Sequence, residues 1–72
     1  MDRLAYRIKE LADVTPYSPD TIRRAIHATG ADPDLFPPPL EAERDTKGYI
    51  ILRAAAEQWL QDIVTQAQRR SA

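Results

Sequence analysis

Apolar residues recur along this chain at helical and at strand-like spacings, and the changes of spacing divide it into short segments. In the first, Ile8, Leu11 and Ala12 share one helical face while Lys9, Glu10 and Asp13 fall outside it, which predicts a short amphipathic helix. Pro16 lacks a backbone donor, so Val14-Thr15-Pro16-Tyr17 predicts a turn that redirects the chain. Ser18-Pro19-Asp20 then reads as a helix start. It offers a hydroxyl to cap free N–H groups, a proline where no donor is needed, and a carboxylate at the positive end of the dipole. The second helix is predicted from Pro19 to a stop at Gly30 after Thr29. Ile22, Ala25, Ile26 and Thr29 gather on its inward face, with Asp20, Arg23, Arg24 and His27 opposite.

The prolines at 33 and 37–39 forbid a continuous helix over residues 31–39, so a loop or single turn is expected, pinned to the core by Leu35 and Phe36. Leu40 and Gly48-Tyr49-Ile50-Ile51-Leu52 flank the charged residues 41–47, a pattern that predicts a β-hairpin with a solvated tip. From Arg53 the helical period returns. Ala56, Trp59, Leu60, Ile63, Val64 and Ala67 are predicted inward and Gln58, Gln61, Thr65 and Gln68 outward, with fraying near Arg69. Phe36, Tyr49 and Trp59 sit among Leu, Ile and Ala, so all three are expected in the fold rather than as nucleotide-stacking platforms.

A chain of 72 residues buries only about 60% of its unfolded surface, which excludes a second independent core. One domain over residues 1–72 is expected, with a core over about 4–67 and a frayed tail at 68–72. Hydrophobic content of 43% with 29% charged residues predicts a folded chain. Zero cysteine removes disulfides, thiolate chemistry and Cys-based metal sites. One histidine leaves only carboxylates as further ligands, without ligand spacing, so neither metal nor cofactor is expected. Two glycines supply no phosphate-cradling loop, and the scattered carboxylates form no catalytic arrangement, so no enzyme is expected. No run approaches the roughly 18 apolar residues of a membrane span, which predicts a cytoplasmic protein with no membrane partner. A net charge of −1 argues against bulk attraction to polyanions. Any nucleic-acid role therefore rests on local charge placement.

Two short helices around a four-residue turn, a hairpin and a third helix give the element order of a winged helix-turn-helix, a mainly α fold with a two-stranded wing. Within that order, Ile8-Lys9-Glu10-Leu11-Ala12 and Ser18-Pro19-Asp20-Thr21-Ile22-Arg23-Arg24 resemble the opening of MerR-like regulators and, more closely, of phage excisionases. In the excisionase pattern a Ser-Pro-x-Thr-Ile-Arg-Arg-x-Ile helix precedes a wing and a helix containing Trp-Leu. Ser18, Pro19, Thr21, Ile22, Arg23, Arg24, Ile26, Trp59 and Leu60 carry the match, which spans roughly residues 6–62. Three features depart from it. Pro16 and Tyr17 stand where these families usually have Gly and Val, Glu41, Glu43 and Asp45 share a wing that relatives keep basic, and the proline-bearing link is longer.

The resemblance implies a non-catalytic, architectural protein of phage or prophage origin acting in a bacterial cell. It would bind double-stranded DNA at neighbouring sites near attachment DNA, associate with further copies of itself and with an integrase, and direct recombination toward excision. A MerR-like transcription regulator and the DNA-binding module of a small terminase subunit share this module. A protein-interaction module is the alternative from another class.

On this reading the DNA-facing residues are Ser18, Thr21, Arg23, Arg24 and His27 on the second helix, with Arg44 and Lys47 on the hairpin. A helix N-terminus in the major groove presents its first turns to base edges, and the arginine fork matches guanine O6 and N7. Arg24, central on the exposed stripe, is the expected base reader, and Arg23, at its border, the expected phosphate contact. Both would serve equally as a solvated cationic face beside Asp20. The Thr21 and Tyr17 hydroxyls are phosphate candidates, with Tyr17 alternatively filling the core in place of the turn valine. His27 is either a DNA contact or a solvated residue. Asp20 accepts from cytosine N4 or serves the helix dipole. Arg44 and Lys47 either enter a neighbouring minor groove or solvate the tip.

Overall fold

The computed structural model describes residues 4–28 and 35–71. Its elements are β1 (Ala5–Tyr6), α1 (Ile8–Val14), α2 (Pro19–His27), β2 (Glu43–Asp45), β3 (Gly48–Leu52) and α3 (Arg53–Ser71). Three helices accompany an antiparallel sheet of order β1-β3-β2. The sequence predicted only the two hairpin strands. The additional strand sets Ala5 opposite Leu52 and Tyr6 opposite Ile51, and at two residues it is too short to show alternation.

Local hydrogen bonds explain where α1 and α2 begin and end. The Glu10 carboxylate accepts the Arg7 N–H at 2.9 Å, satisfying a donor that the first turn of α1 leaves free. At its far end the Thr15 hydroxyl donates to the Leu11 carbonyl at 2.8 Å, and Pro16 follows. Ser18 Oγ accepts the Thr21 N–H at 3.2 Å, capping α2 where the sequence predicts it. The helix ends at His27, earlier than the predicted stop, because Ala28 turns extended and its N–H donates to the Ala25 carbonyl at 3.2 Å. The same carbonyl accepts the Leu40 N–H at 3.0 Å, which ties the returning chain to this end of α2. The predicted inward Thr29 and stop residue Gly30 lie outside the described residues.

Leu11, Ile22, Ala25, Leu40, Ile51, Ala56, Trp59 and Ile63 form the buried core. Trp59 anchors it: the indole N–H donates to the Pro38 carbonyl at 2.9 Å, and the Tyr17 ring stands edge-on to it at 5.4 Å. The half-buried Tyr17 thus takes its core alternative. The link is held differently from the prediction, since Leu35 is 63% and Phe36 37% exposed while Pro37, Pro38 and Leu40 are buried. The Phe36 ring lies 6.0 Å from the Tyr17 ring.

On α3 the buried residues are Ala56, Trp59, Ile63 and Gln66. Val64 and Ala67, predicted inward, are exposed. The buried stripe is narrower than the apolar one, and its last place goes to Gln66, whose amide donates to the Leu35 carbonyl at 3.1 Å. A glutamine with a backbone partner occupies a position that hydrophobicity alone assigns to its neighbours. The helix also runs to Ser71, past the predicted fraying at Arg69. Among the described residues no helix is long and apolar enough to cross a membrane.

Candidate nucleic-acid interface

The hairpin turns through Asp45-Thr46-Lys47-Gly48, with Asp45 paired to Gly48 in register. Asp45 Oδ1 accepts the Lys47 N–H at 2.9 Å, a side-chain turn that rigidifies the tip. Gly48 adopts φ +133°, which an L side chain rarely tolerates. Nothing lies within 4 Å of where its Cβ would be, so the glycine answers a backbone requirement rather than crowding.

Asp45 is also gripped from the first helix. Arg7, the residue before α1, donates from both terminal nitrogens to its two carboxylate oxygens, at 2.8 and 2.7 Å, and from one of them to the Tyr49 carbonyl at 3.2 Å. This fork, joined by the backbone N–H groups of Lys47 and Gly48, pulls the Asp45 carboxyl down from its ordinary 3.8 to about 2. The hairpin is thereby fastened to the start of α1.

Tyr49, expected in the core, instead joins α2 to the hairpin. The His27 ring meets it edge-on at 5.7 Å, and the Arg44 guanidinium carbon lies 5.5 Å from its centroid. Cross-strand pairing of Arg44 with Tyr49 explains the second contact, because directly opposed residues point to the same side. Arg44 therefore belongs to β2, and only Thr46 and Lys47 form the tip. His27 remains exposed, but its ring is braced against the hairpin rather than freely solvated.

Asp20, Arg23 and Arg24 line the outward side of α2. Arg24 Nε lies 3.9 Å from Asp20 Oδ2 with side chains 62% and 79% exposed, a separation and solvation at which an ion pair contributes little. Arg23 instead borders an open concavity between α1, α2 and the hairpin, together with Arg7, Lys9, Lys47 and Tyr49. Lys9, Arg23 and Lys47 make no ion pair among the described residues. Ser18 and Thr21 stand at the N-terminus of α2 with their hydroxyls 3.0 Å apart, engaged in the cap.

The carboxylates that make the hairpin mixed in charge are spatially sorted. Asp45 is matched by Arg7, whereas Glu43, opposite Ile50, points away from the side that carries Arg44 and Tyr49. On that opposite side Glu41 and Glu43 rim an apolar groove floored by Ile50, Leu52, Ala54 and Ala55. Sequence reading missed Arg7, Lys9 and Asp45 as part of this arrangement. Asp and Gly at the ends of the turn are a legible signal, but the Arg7–Asp45 pair spans 38 residues and leaves no local pattern. Among the described residues no group of three or more His, Asp or Glu side chains is placed to hold a metal ion. Searches against family models, curated proteins and solved structures find no match.

Proposed function

We propose that this chain is a winged helix-turn-helix DNA-binding module, with α2 as the recognition helix and the β2–β3 hairpin as the wing. One observation carries the reading: Lys9, Arg23 and Lys47 converge on one concavity, while the hairpin carboxylates are paired with Arg7 or turned to the opposite side. Local charge placement thus offsets a net charge of −1. Arg24, exposed and only loosely held by Asp20, reads a base edge, and Arg23 contacts phosphate. The resemblance to excisionases gives the module an architectural role beside attachment DNA, directing an integrase without catalysis.

Titrations of specific and scrambled duplexes at several salt concentrations test the assignment. Arg24→Ala is expected to cost about 1 to 3 kcal/mol on the specific site and to flatten discrimination at one or two base pairs. Arg23→Ala is expected to weaken all sequences alike and to lower the salt slope by about one. Folded variants that both bind like the parent would overturn the recognition-helix reading. Footprinting then separates roles: protected direct repeats beside an attachment site support excision, and protection over a promoter supports regulation. The apolar groove rimmed by Glu41 and Glu43 favours a second reading, a protein-interaction module, whose apolar contacts would be insensitive to salt.

A further inference from the structure

We infer that the concavity between α1, α2 and the hairpin seats the sugar-phosphate strand dividing a major groove from the next minor groove, with Lys9 as a phosphate ligand. The inference rests on the DNA-binding reading and extends it to α1, which contributes no recognition residue there. A module that lays a helix in one groove and a hairpin tip in the neighbouring one must straddle the single strand between them. The surface available for straddling is the concavity bordered by Arg7, Lys9, Pro19, Arg23, Lys47 and Tyr49.

Its chemistry fits a phosphodiester. Lys9 comes from the first turn of α1, Arg23 from α2 and Lys47 from the hairpin tip, so three separate elements each bring a cation to one hollow. None of the three has an ion-pair partner among the described residues, and cations left facing one another repel unless an anion comes between them. The nearby carboxylate that would neutralise them, Asp45, has both oxygens taken by the Arg7 fork at 2.7 and 2.8 Å. Arg7 thus screens the hollow from its own acidic neighbour, leaving Lys9, Arg23 and Lys47 available. Phosphate oxygens need only point charges here, which lysine provides without a fixed geometry.

The test is a salt-dependent duplex titration of Lys9→Gln beside Arg24→Ala and Arg70→Gln, with folding checked by circular dichroism. Lys9 is exposed on α1, so the substitution leaves the fold intact. Lys9→Gln is expected to weaken specific and scrambled duplexes by the same factor, about three- to tenfold at low salt, and to lower the slope of log affinity against log salt by about one. Arg70→Gln, near the far end of α3, is expected to leave the slope unchanged. A Lys9→Gln protein with parental affinity and slope, alongside an Arg24→Ala protein that has lost the specific site, overturns the seat and spares the DNA reading. An equal drop in slope for Arg70→Gln also overturns it, because the cations then act as diffuse charge. A parent that binds no duplex overturns both.

Discussion

The two sides of β3 present opposite surfaces, although both come from five consecutive residues. Toward the helices, Ile51 is fully buried in the core and Tyr49 is braced between His27 and Arg44. On the other side, Ile50 and Leu52 meet Ala54 and Ala55 at the start of α3 and floor a groove rimmed by Glu41 and Glu43. The partner strand repeats the division, with Arg44 opposite Tyr49 and Glu43 opposite Ile50. Strand alternation therefore separates Arg44 from Glu43, since neighbours in sequence go to different faces, while Asp45, which shares the parity of Glu43, is matched by the Arg7 fork instead. A net charge near zero is an average over two unlike surfaces.

Breaking the core that separates them has the largest expected effect. Trp59→Ala deletes a buried indole together with its hydrogen bond to Pro38, and is expected to cost about 3 to 5 kcal/mol, collapsing both faces at once. Thermal melting followed by circular dichroism reads it, and a parental midpoint would show that the faces hold without the core. A smaller effect is expected at the turn that sets the alternation in register. Gly48→Ala places a side chain at φ +133° in open space, so the loss is conformational, roughly 1 kcal/mol or more in urea unfolding.

The smallest effect concerns the clamp on the basic side. The Asp45 carboxyl titrates at about 2 when folded against an ordinary 3.8, so its pKa is depressed by folding. Its stabilisation is therefore fully present above about 3.8 and is lost as pH falls through about 2. The pair is solvent-accessible, so the change is modest. Carbon-detected NMR should place the Asp45 midpoint near 2, and Arg7→Met should move it upward. In Asp45→Asn this part of the acid-unfolding profile should flatten. A midpoint that ignores Arg7→Met would show that the turn N–H groups alone depress it.

What was legible in the sequence depended on whether one element carried the signal. The start of α2 follows from Ser18 and Pro19 alone, and the inward Ile22 and Ala25 follow from helical spacing. The second strand of the hairpin was legible, since Gly48 and the two isoleucines mark it, whereas the first lies at Glu43–Asp45, within charged residues that read as the tip. The faces of the second strand were not: Ile50 and Ile51 are both apolar, which hides the alternation and left Tyr49 assigned to the core. On α3, Val64 and Ala67 match the helical pattern, but the buried place between them goes to Gln66, whose amide reaches the Leu35 carbonyl, a contact with a distant loop that spacing does not reveal. Within the candidate interface, the α2 arginines were readable from local spacing. Lys9 and Arg7 gain their place only through a turn far along the chain.

The position of β3 and α3 also sets when this protein can acquire its shape during synthesis. Leu11, Ile22 and Ala25 leave the ribosome first, but apart from Leu40 the buried side chains they join, Ile51, Ala56, Trp59 and Ile63, all follow residue 50. Until those are made, α1 and α2 are short helices with little apolar surface to share, and isolated helices of seven and nine residues do not persist in water. The nascent α2 is thus kept from presenting a formed surface. The two contacts that fasten the fold, Trp59 to the Pro38 carbonyl and the hairpin to Arg7, both need residues made late in synthesis.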